Sequence, residues 1–289
     1  ERPRLTFDLD VDVCVIGGGL GGLTVAREVA RRGWSVAVLE AVRIVCAASG
    51  RNTGFVLPGF AEHIENMIER IGLDHTKELW ALSEQGIGYV RRAIEETGMP
   101  GTDPVPGWLH VSKTDNTTAV NAEVERLRWI GAAVEAWPAE RVREVLPNAR
   151  YFGALHFPGA MHIHPLNYCL GLAADAEKFG ARIFEGSAAV KIDPAGVRKR
   201  IETGEGRLRA MHVVLACNVQ LGALMPRLGA TLLPITTYVL VTAPIAGLAD
   251  IVRYRGAVSD TNRADNHYRV VDGNRLQWSG RMRAWQADP

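Results

Sequence analysis

The spacing of apolar positions changes several times along the chain, and each change marks an element. Residues 13–16 are an unbroken apolar run, the pattern of a parallel strand covered on both faces. A helical period takes over near Leu20 and stops at Gly33, and residues 36–39 form a second strand. Helical periodicity returns over 61–70 and 74–97, broken at Ile71-Gly72-Leu73 and closed by Gly98 and Pro100. After a Pro/Gly connector at 101–107, an expected domain boundary, the pattern predicts a strand at 108–112 and helices at 117–133 and 139–146. It then predicts a strand at 151–157 and a helix at 166–179 that opens at His164-Pro165. Strand character follows at 181–184, 188–192 and 196–203, and residues 211–216 read as a buried strand. Beyond Gln220 the chain is strand-rich, with strands expected at 236–242, 267–271 and 275–280.

The first three elements enclose Gly17, Gly19 and Gly22 in the spacing G-x-G-x-x-G. The first glycine permits a sharp turn, the second lets a pyrophosphate approach the backbone, and the third lets helix and strand pack closely. The helix N-terminus then faces the phosphates with free N–H groups and the positive end of its dipole. Glu40, at the end of the second strand, accepts hydrogen bonds from ribose hydroxyls and disfavours a 2'-phosphate. The motif thus predicts a dinucleotide site and leaves FAD and NAD both open. The loop after Glu40 is rich in glycines and small residues, as suits backbone lying against a ligand. A helix-then-strand pattern comes back over 164–218 after a mixed, strand-rich insertion, which is a two-domain α/β layout.

Composition narrows the class. In 289 residues, 33 basic and 32 acidic side chains are interspersed to a net charge of +1, which gives no footprint for nucleic acid. No apolar run is long enough for a membrane span, and no signal-peptide pattern opens the chain. Cys14, Cys46, Cys169 and Cys217 lack C-x-x-C spacing and are read as free thiols, so a soluble, cytoplasmic protein is expected. The start at Glu1 without methionine is read as trimming.

At Ala48-Ser49-Gly50-Arg51-Asn52-Thr53-Gly54 the chain resembles the D-amino-acid-oxidase-like family of FAD-dependent oxidoreductases, in the branch of gamma-glutamylputrescine and glycine or sarcosine oxidases. H-P-L-N-Y-C-L-G-L-A from His164, A-R-I-F-E-G from Ala181, V-V-L-A-C-N from Val213, Y-V-L-V-T-A-P from Tyr238 and S-G-R ending at Arg281 extend the likeness over nearly the whole chain. The resemblance implies a Rossmann-like FAD-binding domain of the GR2 type with an inserted mixed-sheet substrate domain. The expected division is 1–100 with 160–226 for FAD, and 101–159 with 227–289 for substrate. It implies FAD as cofactor, held by Gly17, Gly19, Gly22, Glu40, Ala48, Ser49, Gly50, Arg51, Asn52 and Gly54. Ala189 or Val190 would hold the adenine through the main chain, and Ala216 and Cys217 would pass near the FAD. Ser49 and Arg51 suit a phosphate chemically. Cys46 reads as a small packing residue rather than a covalent flavin link. Relatives continue past the S-G-R strand to a glycine-rich segment over the isoalloxazine ring, so the C-terminal part is expected to be missing after Pro289.

The implied reaction oxidises a C–N bond of a small amine or amino acid by hydride transfer to flavin N5, with hydrolysis of the imine. The electron acceptor is left open: oxygen, a quinone or another protein could reoxidise the flavin. Candidate catalytic residues are Tyr238, His267, Tyr268 and Arg269. Strand alternation puts His267 and Arg269 on one face and Tyr268 on the other, and Arg269 or Arg281 would grip a substrate carboxylate with two N–H groups. His162 and His164 flank Ile163 without a further ligand nearby, so no metal is expected. Trp129 and Trp137 are expected in the core or an interface. The alternatives are an NAD-dependent dehydrogenase, which predicts regular strand-helix units after Glu40, and a non-catalytic or truncated flavin-fold protein.

Overall fold

The structure is a computed structural model and describes residues 1–261 and 266–283. Residues 262–265 and 284–289, part of the expected substrate domain, lie outside the described residues. The chain opens with β1 (Asp8–Ile16), α1 (Leu20–Arg31) and β2 (Val36–Leu39), then β3 (Phe55–Val56), α2 (Ile64–Ile71) and α3 (Leu73–Thr97). Next come β4 (Val105–Val111), α4 (Thr117–Trp129), β5 (Glu135–Pro138), α5 (Ala139–Val145), β6 (Gly153–His162) and α6 (Pro165–Lys178). β7 (Arg182–Phe184), β8 (Lys191–Asp193), β9 (Lys199–Glu202) and β10 (Arg207–Leu215) follow. The last elements are α7 (Pro226–Gly229), β11 (Thr236–Val241), α8 (Leu248–Ile251), β12 (Ala257–Asp260), β13 (His267–Val271) and β14 (Arg275–Arg283).

The first sheet has the order β7-β2-β1-β10-β9-β8, and its first four strands run parallel. Its central strand is buried on both sides, as the unbroken apolar run requires. Val13 and Val15 pack with Leu23 and Ala26 of α1 and Leu172 of α6, while Cys14 and Ile16 pack with Leu39, Phe184 and Leu208 on the other face. The second sheet has the order β11-β14-β13-β12-β4-β6-β3, with β5 also on β6. On one face Leu109, Val111, Val258, Tyr268 and Val270 pack with Val142 of α5 and Leu248 of α8. On the other, Trp108 and Phe157 stack at 4.6 Å and join a cluster with Met67 of α2, Trp80 of α3 and Leu127 of α4.

Some expectations need correction. The strand expected at 188–192 is reduced to β8, because the chain at 186–187 is tied to the segment after β2: Gly186 N–H donates to the Val42 carbonyl and Ser187 N–H to that of Glu40. Trp137 is buried, but Trp129 is 59% exposed, with Lys77 over its ring. β5 and β12, absent from the sequence reading, are four residues each, too short to impose a period. Arg27, unremarked in the sequence, is 2% exposed and joins α1 to α6 through Asp175 at 2.6 Å.

Candidate functional site

The glycine turn is built as its spacing demands. Gly17 has φ +110°, and a Cβ there would lie 2.6 Å from the Ala216 carbonyl oxygen, so the turn passes directly over the end of β10. A Cβ on Gly22 would lie 2.0 Å from the Gly17 carbonyl oxygen, which keeps α1 tight against the turn. Gly19 is the N-cap of α1 and has no side chain to offer. Instead the Ser49 hydroxyl, brought in by the loop after β2, accepts from Leu20 N–H at 2.9 Å. Gly21 and Gly22 carry the other first-turn N–H groups, which a helix leaves without an internal partner. The space beside Gly21 is open, for an added Cβ would meet no atom within 4 Å.

Glu40 ends β2 with its carboxylate fixed by two backbone donors, Gly18 N–H at 2.8 Å and Val42 N–H at 3.0 Å. Each oxygen keeps a lone pair for a further donor such as a ribose hydroxyl. The loop then turns back on the glycines: Val45, with φ +61°, donates its N–H to the Gly18 carbonyl at 2.9 Å. Ala48–Gly50 form one 3₁₀ turn. Asn52 brackets this loop, its amide donating to the Ala48 and Ser49 carbonyls at 2.9 Å while its oxygen accepts from Gly54 N–H at 2.7 Å. Arg51 is exposed, and its guanidinium has no hydrogen-bond or ion-pair partner among the described residues. Gly54, with φ +73°, lies so close to Ile163 that a Cβ would be 2.0 Å from its carbonyl oxygen.

The remaining cofactor candidates are spread around this turn. Val190 N–H is bonded to the Glu202 carbonyl at 2.8 Å, which leaves Ala189 the freer of the two backbone donors. Ala216 N–H donates to the Ile16 carbonyl at 2.8 Å, beside Gly17. Burial pushes the Cys217 thiol up, and the nearby Glu40 carboxylate adds to that shift, so it stays protonated at neutral pH. A cavity of about 250 Å³ lies off the end of β10, lined by Leu215, Cys217, Asn218, Leu221 and Leu228 among others.

The four catalytic candidates divide by face. His267 and Arg269 lie opposite Ser279 and Gln277, while Tyr268 lies opposite Trp278 and Tyr238 opposite Gly280 on the other face. His267 meets the Phe55 ring edge-to-face at 5.6 Å, one residue beyond Gly54. Tyr268 is corrected to a core residue: its ring stacks on Trp278 at 5.3 Å, and its hydroxyl is bonded to that of Tyr151 at 3.0 Å. Tyr238 shares that face and is turned away from His267. Arg281 sits exposed with φ +59° where the β11–β14 register shifts.

Arg269 is 4% exposed and does not present the expected two-pronged grip. Its Nε donates to Gln277 Oε1 at 2.6 Å, and its Nη1 to the Ile163 carbonyl at 2.7 Å and to His162 Nδ1 at 2.8 Å. His162 can accept because its Nε2–H donates to the Arg255 carbonyl at 2.9 Å, and burial holds its pKa down at about 4, so the ring is neutral. Burial also lowers Arg269, to about 10, which leaves it charged at neutral pH. His164 has a separate task, accepting from Asn167 N–H as the N-cap of α6.

With this geometry in view, the family model for FAD dependent oxidoreductases (DAO) matches residues 12–289. The chain belongs to that family. Gamma-glutamylputrescine oxidoreductase of Escherichia coli K12 is 32% identical over 99% of this chain and 68% of its own length. Probable oxidoreductase OrdL of Haemophilus influenzae is 31% identical over 96% of this chain and 66% of its own length. The chain thus spans about two thirds of the length of these DAO relatives. Among solved structures, glycine oxidase from Geobacillus kaustophilus superposes with a TM-score of 0.76 at 21% identity, over 97% of this chain and 73% of that one. That likeness shows the fold: an α/β protein whose Rossmann-like dinucleotide unit carries an inserted mixed sheet.

FAD is the cofactor of the DAO family, and the residues present fit it. The open side of Gly21, the anchored acceptor at Glu40 and the exposed cation at Arg51 match an adenosine diphosphate in steric space, hydrogen bonding and charge. Among the described residues no helix is long and apolar enough to cross a membrane.

Proposed function

We propose that the protein uses FAD to oxidise a C–N bond of a small amine or amino acid. The observation that carries this reading is the loop 48–54 folded onto the α1 N-terminus, with Ser49 on Leu20 N–H and Phe55 already in the second sheet. One segment therefore joins the phosphate end of a dinucleotide site to the sheet that would face the substrate. Residues 1–100 and 160–226 would form the cofactor domain, and 101–159 and 227–289 the substrate domain. Relatives named for gamma-glutamylputrescine and for glycine support a nitrogenous substrate.

In this reading Gly17, Gly19 and Gly22 admit the pyrophosphate, the α1 N-terminus and Arg51 balance its charge, and Glu40 receives the ribose. Ala48, Ser49, Gly50, Asn52 and Gly54 shape the loop, Ala189 meets the adenine, and Ala216 and Cys217 close the floor. Bound FAD would supply the hydride acceptor at N5 for oxidation of the C–N bond, and the imine so formed would be open to hydrolysis by water. His267, as the candidate beside Phe55, is the residue of this chain that would orient the substrate. Free cysteines suit a cytoplasmic setting.

The test is to express the full-length protein and titrate it with FAD, then screen amines and amino acids with oxygen or an artificial acceptor. Stoichiometric flavin binding with release of ammonia or an aldehyde supports the reading. A protein that binds a nicotinamide dinucleotide and no flavin overturns it.

A further inference from the structure

We propose that Arg269 is a positioning residue for the cofactor loop, acting from the second sheet through the Ile163 carbonyl. This rests on the reading of loop 48–54 as the FAD phosphate loop. A continuous path of short hydrogen bonds supports it. Arg269 Nη1 donates to the Ile163 carbonyl at 2.7 Å, and Ile163 N–H donates to the Gly54 carbonyl at 2.8 Å. Gly54 N–H donates to Asn52 Oδ1 at 2.7 Å, the Asn52 amide donates to the Ser49 carbonyl at 2.9 Å, and Ser49 Oγ accepts from Leu20 N–H at 2.9 Å. The path thus begins on β13 and ends at the first turn of the dinucleotide helix.

Two features make the path stiff. Gly54 packs against Ile163 and Pro165, so that an added Cβ would lie 2.0 Å from the Ile163 oxygen and 3.0 Å from Pro165 Cδ. A displaced Ile163 carbonyl therefore carries Gly54 with it. The guanidinium is itself held in plane by Gln277 Oε1 on Nε and His162 Nδ1 on Nη1. All three Arg269 acceptors are neutral, so directed hydrogen bonds fix the buried guanidinium, while Asp272 adds only a longer-range attraction. Its Nε–H and both Nη1 hydrogens are engaged, so a two-pronged hold on a substrate carboxylate would require breaking this arrangement.

The experiment pairs Arg269→Gln and Arg269→Lys with Asn52→Ala, with Tyr268→Phe as the neighbour on the opposite face. Amide hydrogen exchange of the apoprotein is read at Leu20, Gly54 and Ile163, and FAD affinity is read by quenching of flavin fluorescence. Arg269→Gln is expected to speed exchange at all three amides and to weaken FAD binding about tenfold. Arg269→Lys, which keeps the charge but loses the planar fork, is expected to recover only part of that, and serves if the Gln variant does not fold. Combined with Asn52→Ala, the loss should fall short of the product of the two single effects, since both cut one path. Tyr268→Phe should leave FAD affinity within about twofold.

Unchanged exchange at Gly54 and Leu20 in both Arg269 variants would overturn the proposal. So would FAD affinity unchanged within about twofold while KM for a carboxylated substrate rises, which would make Arg269 a substrate anchor. If the wild-type protein bound no FAD, the proposed function would fall, while the exchange data on the apoprotein would still decide the role of Arg269.

Discussion

Gly21 and Gly22 are adjacent in the first turn of α1, and replacing each by alanine should move stability in opposite directions. At Gly22 the new Cβ would lie 2.0 Å from the Gly17 carbonyl oxygen and 3.2 Å from both the Gly17 carbonyl carbon and Val15 Cγ1. The obstacle is backbone at the tightest point of the turn, so α1 must move outward by more than an ångström. Overpacking of this kind costs about 1–3 kcal/mol, and a backbone clash belongs at the upper end. At Gly21 no atom lies within 4 Å of the added Cβ, and alanine gains about 0.5–1 kcal/mol in helix propensity and unfolded-state entropy. The assay is thermal and urea unfolding of the apoprotein, so that packing alone is read. For a chain of this length, about 3 kcal/mol corresponds to a drop of roughly 6 °C in Tm. Gly22→Ala should fall by about that much, while Gly21→Ala should match or slightly exceed the wild type. Equal midpoints for the two variants, or a larger loss at Gly21, would refute the assignment of the third motif glycine to helix packing.

Three further outcomes are expected. Arg27→Met should cost about 3–5 kcal/mol in urea unfolding, because Asp175, 7% exposed, loses the partner at 2.6 Å that offsets its burial; adding Asp175→Leu should recover most of it. His162 has its folded pKa at about 4, below the ordinary 6.5, so its contribution is complete above pH 6.5 and is lost as pH falls toward 4, where the unfolded chain takes up the proton first. The gap between 6.5 and about 4 sets that loss at roughly 3 kcal/mol, and His162→Gln should flatten this part of the pH–stability curve relative to wild type. Tyr268→Phe should cost about 1–3 kcal/mol by leaving the Tyr151 hydroxyl without its partner, with FAD titration unchanged.

What the sequence made legible follows from the range over which each signal acts. The turn from Gly17 to Gly22 and the acid at Glu40 could be read because strand, turn, helix and strand are contiguous and each is fixed by local geometry. Loop 48–54 could be recognised as permissive, yet its contact with Ile163 could not, since a single glycine does not say which distant carbonyl requires it. Alternation assigned His267 and Arg269 to one face, as the register shows. It could not foresee that Arg269 would be occupied by Ile163, His162 and Gln277, because those partners come from β6, β14 and the turn before α6. The resemblance implies Asn52 as a cofactor residue, and its amide also brackets the loop itself, a role that only the folded geometry reveals.

The same long-range pairing separates FAD from nicotinamide binding. In a dehydrogenase of the regular doubly wound kind, the strand beside β2 comes from the next strand-helix unit. Here the outer neighbour of β2 is β7, and between them the chain lays down β3 to β6 of the second sheet and five helices, α2 to α6. Phe55 pairs with His162 at the edge of that sheet, only six residues after Ser49 caps the dinucleotide helix. The distance between the phosphate end and the second sheet is therefore set by one short, Asn52-braced segment rather than by a flexible interdomain linker. A dinucleotide gripped at Gly17 to Gly22 would have its phosphates within a few residues of chain from β3, an arrangement that suits the FAD of this family, which would have to reach from the glycine turn toward the second sheet.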